Sequence, residues 1–336
     1  MNETAFLITA KSSEFIVLVL LSCVSAMMAI VGNAVVLTAI YRTKALHTIS
    51  NFFIASLAAA DLAVGVVLNP LLAYKSIVFS YLNPERRLEG SVFNTAEDFA
   101  WIQAVVATTF GLTAISVDRY IAVNFGLRYS ELSSRKKCLI ATISVWVVSV
   151  IFASVRIFTK EPQHLSILWL VMAVVTCIIP GIVITFCYWS ILKAARIQVR
   201  KIARQNTIRR AGEVSSAWRD NNALISQRKS AFTVAIVILL FIFLWSPSLV
   251  TAAIQLRISG SENPEDKRTF VILERRVWLW VCLVAYFSSA INPWVYSIRS
   301  TQFRTACKII FKRPNLLRFT KAHVVDEIVQ LPSTHR

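Results

Sequence analysis

Charged side chains are scarce in this sequence. Asp, Glu, Lys and Arg make up 16% of its 336 residues, where soluble domains carry about a quarter. That scarcity argues against a water-soluble fold. The apolar share, 56%, is gathered into runs of roughly 20–28 residues, the length a hydrocarbon layer of about 30 Å demands. One large buried core would not concentrate apolar residues in that way. Cysteine is also sparse: Cys23, Cys138, Cys177, Cys187, Cys282 and Cys307 fall in or beside apolar runs or on one expected inner face, which excludes the disulfide framework of a small secreted domain, and none has metal-ligand spacing. Met1-Asn2-Glu3-Thr4 has no basic leader character, and no small-residue cleavage site follows. The first apolar run therefore reads as an uncleaved signal anchor. No catalytic triad, metal cluster or phosphate loop is present, so the chain is not expected to be an enzyme. No internal repeat appears either, which counts against a transporter built from inverted repeats.

Seven runs are long enough to cross a bilayer: about 14–41, 50–76, 92–122, 138–158, 166–197, 229–256 and 274–297. The fold class expected is all-α, a seven-transmembrane helix bundle with a C-terminal amphipathic interfacial helix. The domain reading is a short extracellular N-terminus (1–13), a transmembrane domain (14–299), an amphipathic helix (300–313) and a cytoplasmic tail (314–336). A net charge of +18 would suggest nucleic-acid binding in a soluble protein. Here its location excludes that partner. The N-terminus and the loops after the second, fourth and sixth runs are about neutral together, and the whole excess lies on the opposite side. The positive-inside rule then puts the N-terminus outside and the C-terminus in the cytoplasm, and the plasma membrane is the expected location.

The most basic stretch lies between the fifth and sixth runs, and much of 193–204 reads as an amphipathic extension of the fifth helix. Attraction to anionic headgroups, at about 1 kcal/mol per basic residue, and docking of a cytoplasmic partner are both open. After the seventh run, Phe303, Cys307, Ile310 and Phe311 share one helical face, with Arg304, Lys308 and Lys312 between them. That is the pattern of a helix lying against membrane lipids. Cys307 is a candidate for palmitoylation, with a plain thiol on the apolar face as the alternative. Asn2-Glu3-Thr4 is a glycosylation sequon at Asn2.

Polar residues and prolines inside a bilayer are costly and ask for a reason. Each taken singly has a packing explanation. Together, Gly32-Asn33, Leu57-Ala58-Ala59-Ala60-Asp61, Asp118-Arg119-Tyr120, Trp146, Pro180 with Tyr188, Trp245-x-Pro247 and Asn292-Pro293-x-x-Tyr296 form an ordered set, one on each run. The sequence resembles the rhodopsin-like G-protein-coupled receptors on these motifs, over about residues 14–313. The stretch from Tyr296 to Ile310 is similar to the adenosine and melanocortin receptor branch.

The resemblance implies a receptor that converts extracellular ligand binding into activation of a heterotrimeric G protein by outward movement of the sixth helix. The switch residues it implies are Asp118, Arg119, Tyr120, Tyr188, Trp245, Pro247, Asn292, Pro293 and Tyr296, with Arg119 paired to Asp118 at rest. Asp61 would head a sodium site with Thr108, Ser288, Ser289 and Asn292; a protonated, hydrogen-bonded Asp61 is the alternative. No cofactor is required. The implied ligand pocket is Glu97, Asp98, Trp101, Ile102, Val105, Met172, Thr176, Trp245, Ser248, Leu249, Trp278, Cys282 and Tyr286, for a small molecule or peptide of unknown identity.

Departures from the family pattern sharpen the expectation. Asn94 stands where the family usually has cysteine, so the usual outer disulfide cannot form. Trp101 stands where amine receptors carry a salt-bridging aspartate. Tyr286 replaces the retinal lysine of opsins, which excludes that pigment. Gln227 replaces an acid that often restrains Arg119, and Gly126 replaces a loop proline. Glu97 and Asp98 either meet a basic ligand or pair with Lys75, Arg275 or Arg276. The alternative function is a heptahelical scaffold, or a receptor active without a regulating ligand.

Overall fold

The computed structural model describes residues 3–81, 92–159, 162–208, 239, 242–244, 246–251, 253–258, 261–299 and 301–312. Among these residues all regular structure is helical. Six helices are long and apolar enough to cross a membrane: Ser13–Arg42, Ile49–Val78, Val92–Asn124, Arg135–Phe158, Ile167–Ala194 and Trp278–Val295. The described part of the sixth crossing in chain order lies, apart from Leu239, within Ile242–Ile258. Half of the expected 229–256 run falls outside the described residues.

Prolines and caps explain the local shape. Thr48 caps the second span by accepting from Asn51 N at 3.3 Å. That helix then widens into a π-turn at Val64–Leu68, just before Asn69-Pro70. Proline has no N–H to donate and its ring crowds the carbonyl one turn back, and the wider turn absorbs both effects. The fifth span repeats the device, with a π-turn at Val174–Ile178 ahead of Pro180. Its helix then runs on to Ile208, so the basic extension expected over 193–204 is helical. The seventh span begins earlier than its apolar run. Asn263 caps Pro264–Ile272 by accepting from Glu265 N at 3.0 Å, and a π-turn at Leu273–Val277 joins that helix to Trp278–Arg299.

The third span is the axis of the bundle, packed against the second, fourth and fifth, while the first packs against the second and seventh. Two apolar cores result. One gathers Leu68, Leu72, Trp101, Ile102, Val105, Met172, Leu283 and Tyr286; the other gathers Leu46, Ile54, Leu57, Leu112, Ile115 and Ile184. Between them along the helices run the buried polar residues Asn33, Asp61, Thr108, Ser288, Ser289 and Asn292. The outward face is apolar too: Leu139, Ile140, Ile143, Val147 and Ile151 of the fourth span are all at least half exposed, as a lipid-facing surface requires. The final helix, Thr301–Lys312, turns back onto the second core, burying Phe303 and Ala306.

Candidate functional site

The polar layer is wired by side-chain amides. Asn33 Nδ2 donates to Ala29 O at 2.8 Å and across to Ser289 O at 3.0 Å, tying the first span to the seventh. Asn292 Nδ2 donates to Asp61 Oδ2 at 2.8 Å, tying the second to the seventh. The other carboxylate oxygen, Asp61 Oδ1, is buried with no partner among the described residues. Thr108 and Ser288 are buried in the same layer. An acceptor left over in a ring of amide and hydroxyl groups suits a hard cation, which takes oxygen ligands. The residues present therefore fit sodium: Asp61 would supply the charge, and neighbouring oxygens the rest of the shell. Trp146 Nε1 adds a further bond to Ser56 Oγ at 3.0 Å, joining the fourth span to the second.

At one end of the third span Asp118 is 3% exposed, and its carboxylate accepts three hydroxyl hydrogen bonds. Ser50 of the second span donates to Oδ2, while Tyr129 at 2.9 Å and Ser133 at 3.2 Å donate to Oδ1. Among the described residues Asp118 makes no ion pair with Arg119, contrary to the resting-state pairing expected from the sequence. The physical reason is competition: three hydroxyl groups occupy most of the acceptor positions of a carboxylate that Arg119 could otherwise reach. Burial, the adjacent Asp118 charge and the bond to it push the Tyr129 phenol above its ordinary range, so it remains a donor. Arg119 Nε and the Tyr188 hydroxyl are both buried without a hydrogen-bond partner among the described residues. They lie within electrostatic reach of each other. Tyr120 packs between Phe125 and Phe186, with ring centroids 5.9 and 5.7 Å away.

Ion pairs govern the opposite end. Lys75 Nζ meets Glu97 Oε2 at 2.8 Å, and Arg156 Nε meets Asp98 Oδ2 at 2.8 Å. The Lys75 partnership was among those open from the sequence. The sequence does not single out Arg156 as the partner of Asp98, and Arg276 is engaged instead by Glu14, which also accepts from Trp280 Nε1 at 2.9 Å. Below these pairs Trp101 contacts Trp169 edge-on at 5.5 Å and Trp278 at 5.8 Å. The expected pocket residues Trp101, Ile102, Val105, Met172, Cys282 and Tyr286 come together here as packed core, with Trp278 against them. Trp169 was missed; only its place near the start of the fifth run could have suggested it.

Thr176 and Leu249 instead line a cavity of about 840 Å³ with Thr109, Pro180, Phe186, Trp189 and Ile242, opening between the fifth and sixth spans. Thr176 Oγ1 donates to Met172 O at 2.7 Å, so its hydroxyl is already engaged. Ser248 is buried and Pro247 half-buried, with Thr251 Oγ1 donating to Pro247 O at 2.8 Å. Pro293 is buried against Gly32. Asn2, Gln227 and Trp245 lie outside the described residues, as does the side chain of Tyr296. No disulfide joins the six cysteines, and Cys307 is half-buried on the terminal helix.

A seven-helix bundle with this buried polar layer defines a class of membrane receptor, and comparison with known proteins agrees. Residues 32–296 match the family described as 7 transmembrane receptor (rhodopsin family), so the chain belongs to that family. It is 30% identical over 303 residues to trace amine-associated receptor 9 of Homo sapiens, covering 85% of this chain and 81% of that one. It is 29% identical over 298 residues to the histamine H2 receptor of Rattus norvegicus, covering 84% and 75%. The chain is thus a multi-pass class A G-protein-coupled receptor and not an enzyme.

Proposed function

We propose that the chain binds an extracellular ligand near Trp101, Trp169 and Trp278 and activates a heterotrimeric G protein at its Arg119 end, with the sixth helix moving outward. The observation that carries this reading is a pair of buried donors, Arg119 Nε and the Tyr188 hydroxyl, that have no hydrogen-bond partner among the described residues. An unsatisfied buried donor costs about 1–3 kcal/mol, an expense explained if the groups are held ready for another conformation or a partner. The test is to co-express the chain with energy-transfer sensors for each G-protein class and screen a ligand library. Activation should appear with at least one sensor and vanish in Arg119→Ala at equal surface expression. Activation that survives this substitution would overturn the reading.

The relatives are named for trace amines and histamine, but this chain departs from an amine site. Trp101 replaces the salt-bridging aspartate, and Glu97 and Asp98 are already matched by Lys75 and Arg156. We therefore favour an aromatic or apolar small ligand over a primary amine held by a carboxylate. A second reading, signalling without a regulating ligand, is favoured by the absence of an Arg119–Asp118 pair and by Gln227.

For Asp61 we propose an allosteric sodium site with Thr108, Ser288, Ser289 and Asn292. A ligand that binds only the folded state raises its stability. The purified receptor should melt higher in sodium chloride than in choline chloride of equal ionic strength, and Asp61→Asn should abolish the difference. Equal sodium sensitivity in the variant would exclude the site.

A further inference from the structure

The cavity between the fifth and sixth spans is separate from the tryptophan cluster and from the polar layer: among the described residues its lining includes none of Trp101, Trp169, Trp278 or Asp61. Its floor is buried, formed by Thr109, Thr176 and Ile184. Its rim is not. Ile178, Ile182, Phe186 and Trp189 recur along one side of the fifth span, and each is more than half exposed. In a bilayer that side meets lipid, so the cavity opens sideways into hydrocarbon. The lining follows the fifth span from Thr176 to Trp189, about 20 Å of helix at about 1.5 Å per residue. One leaflet contributes half of a hydrocarbon layer of about 30 Å, so the cavity is long enough for one acyl chain.

Three of the four hydroxyls in the lining are already engaged. Thr109 Oγ1 donates to Val105 O at 2.7 Å, Thr176 Oγ1 to Met172 O at 2.7 Å and Ser246 Oγ to Phe243 O at 3.0 Å. The fourth, Thr185, is exposed. A buried water needs about two to four polar partners, and hydroxyls turned back onto their own helices supply few. An unfilled apolar gap forfeits dispersion contacts along its whole lining. Gly181 widens the gap, since a Cβ there would meet nothing within 4 Å. Hydrocarbon therefore suits this space better than water or a polar ligand does.

A cation stands at one end. Lys193, one turn beyond Trp189, is exposed and holds Nζ 5.2 Å from the Trp189 ring centroid. The apolar crossing ends at Ala194, which puts this ammonium at the level of the lipid headgroups. We propose that the cavity is a lipid site. The acyl chain of an anionic phospholipid lies along the fifth span from Trp189 toward Thr176, with the headgroup on Lys193. A zwitterionic headgroup brings its own cation and gains less from a lysine.

The test reconstitutes the full-length chain in phosphatidylcholine vesicles with a trace of phosphatidylserine that carries a photoreactive acyl chain, and maps the labelled peptides. Label should concentrate on 176–189 and 242–249. Unlabelled phosphatidylserine should displace it several-fold better than unlabelled phosphatidylcholine. Gly181→Phe puts a ring into the open space and should lower this label several-fold, while label on the lipid-facing fourth span stays unchanged. Lys193→Gln should retain the label but lose the preference for phosphatidylserine. Melting midpoints are recorded for each variant, and Gly181→Leu offers a smaller filling side chain if the phenylalanine variant melts lower. Even label over all lipid-facing spans, or cavity label that neither Gly181 variant lowers, overturns the site. Equal displacement by both lipids, or an unchanged preference in Lys193→Gln, overturns the assignment of an anionic headgroup to Lys193.

Discussion

A side chain at position 32 would collide with its neighbour. A Cβ built on Gly32 would stand 2.9 Å from Pro293 Cγ and 3.0 Å from its Cβ. The proline ring cannot swing aside, so the first and seventh spans would have to part. That separation would also stretch the Asn33 bond to Ser289 O. Gly32→Ala should destabilise the receptor by about 1–3 kcal/mol, the usual cost of overpacking a filled site. Thermal melting of the purified protein in detergent checks this, and an unchanged midpoint would show that the spans have slack. The sequence marks Gly32 as part of a motif but says nothing of its contact. Pro293 lies far along the chain, and only packing brings the two together.

At the scale of elements, the third span is held at both ends by polar groups from its neighbours. With Asn94 in place of cysteine there is no outer disulfide at that position. Two ion pairs stand there instead: Glu97 with Lys75 of the second span, and Asp98 with Arg156 of the fourth. Arg156 is 9% exposed and also donates to Thr159 O at 2.9 Å, so it is anchored at both ends of its guanidinium. Taking away one partner leaves a buried charge behind. Asp98→Asn should therefore cost about 3 kcal/mol, and Asp98→Asn with Arg156→Leu less than the sum of the two singles. Chemical-denaturation midpoints of the four proteins decide it; strict additivity would mean the pair contributes nothing. The sequence showed that these acids needed cations. It left Lys75, Arg275 and Arg276 open and did not point to Arg156, because the choice depends on which helices adjoin and how they are rotated.

Across the whole molecule, the polar residues form a layer between two apolar cores while lipid-facing residues cover the outside. Charge decides how such a bundle sits in a bilayer. With the entire +18 excess on one side, the N-terminus is expected outside. An epitope at the N-terminus should be labelled on intact cells, and one at the C-terminus only after permeabilisation. The reverse pattern would invert every assignment of inside and outside made above.

Crossing number, the helical class and the receptor family were determined by the sequence alone. Length of apolar runs is a local property, and each motif is read from adjacent residues such as Asp118-Arg119-Tyr120 or Asn292-Pro293. The basic extension of the fifth helix was legible for the same reason. What the tertiary structure alone decided is pairing. It gave Asp118 three hydroxyls in place of Arg119, gave Arg156 to Asp98, and closed Trp169 and Trp278 around Trp101. Hydrogen bonds and ion pairs act over a few ångströms, so they belong to residues that packing makes neighbours. No pattern along a single helix specifies which side chain the next helix will present.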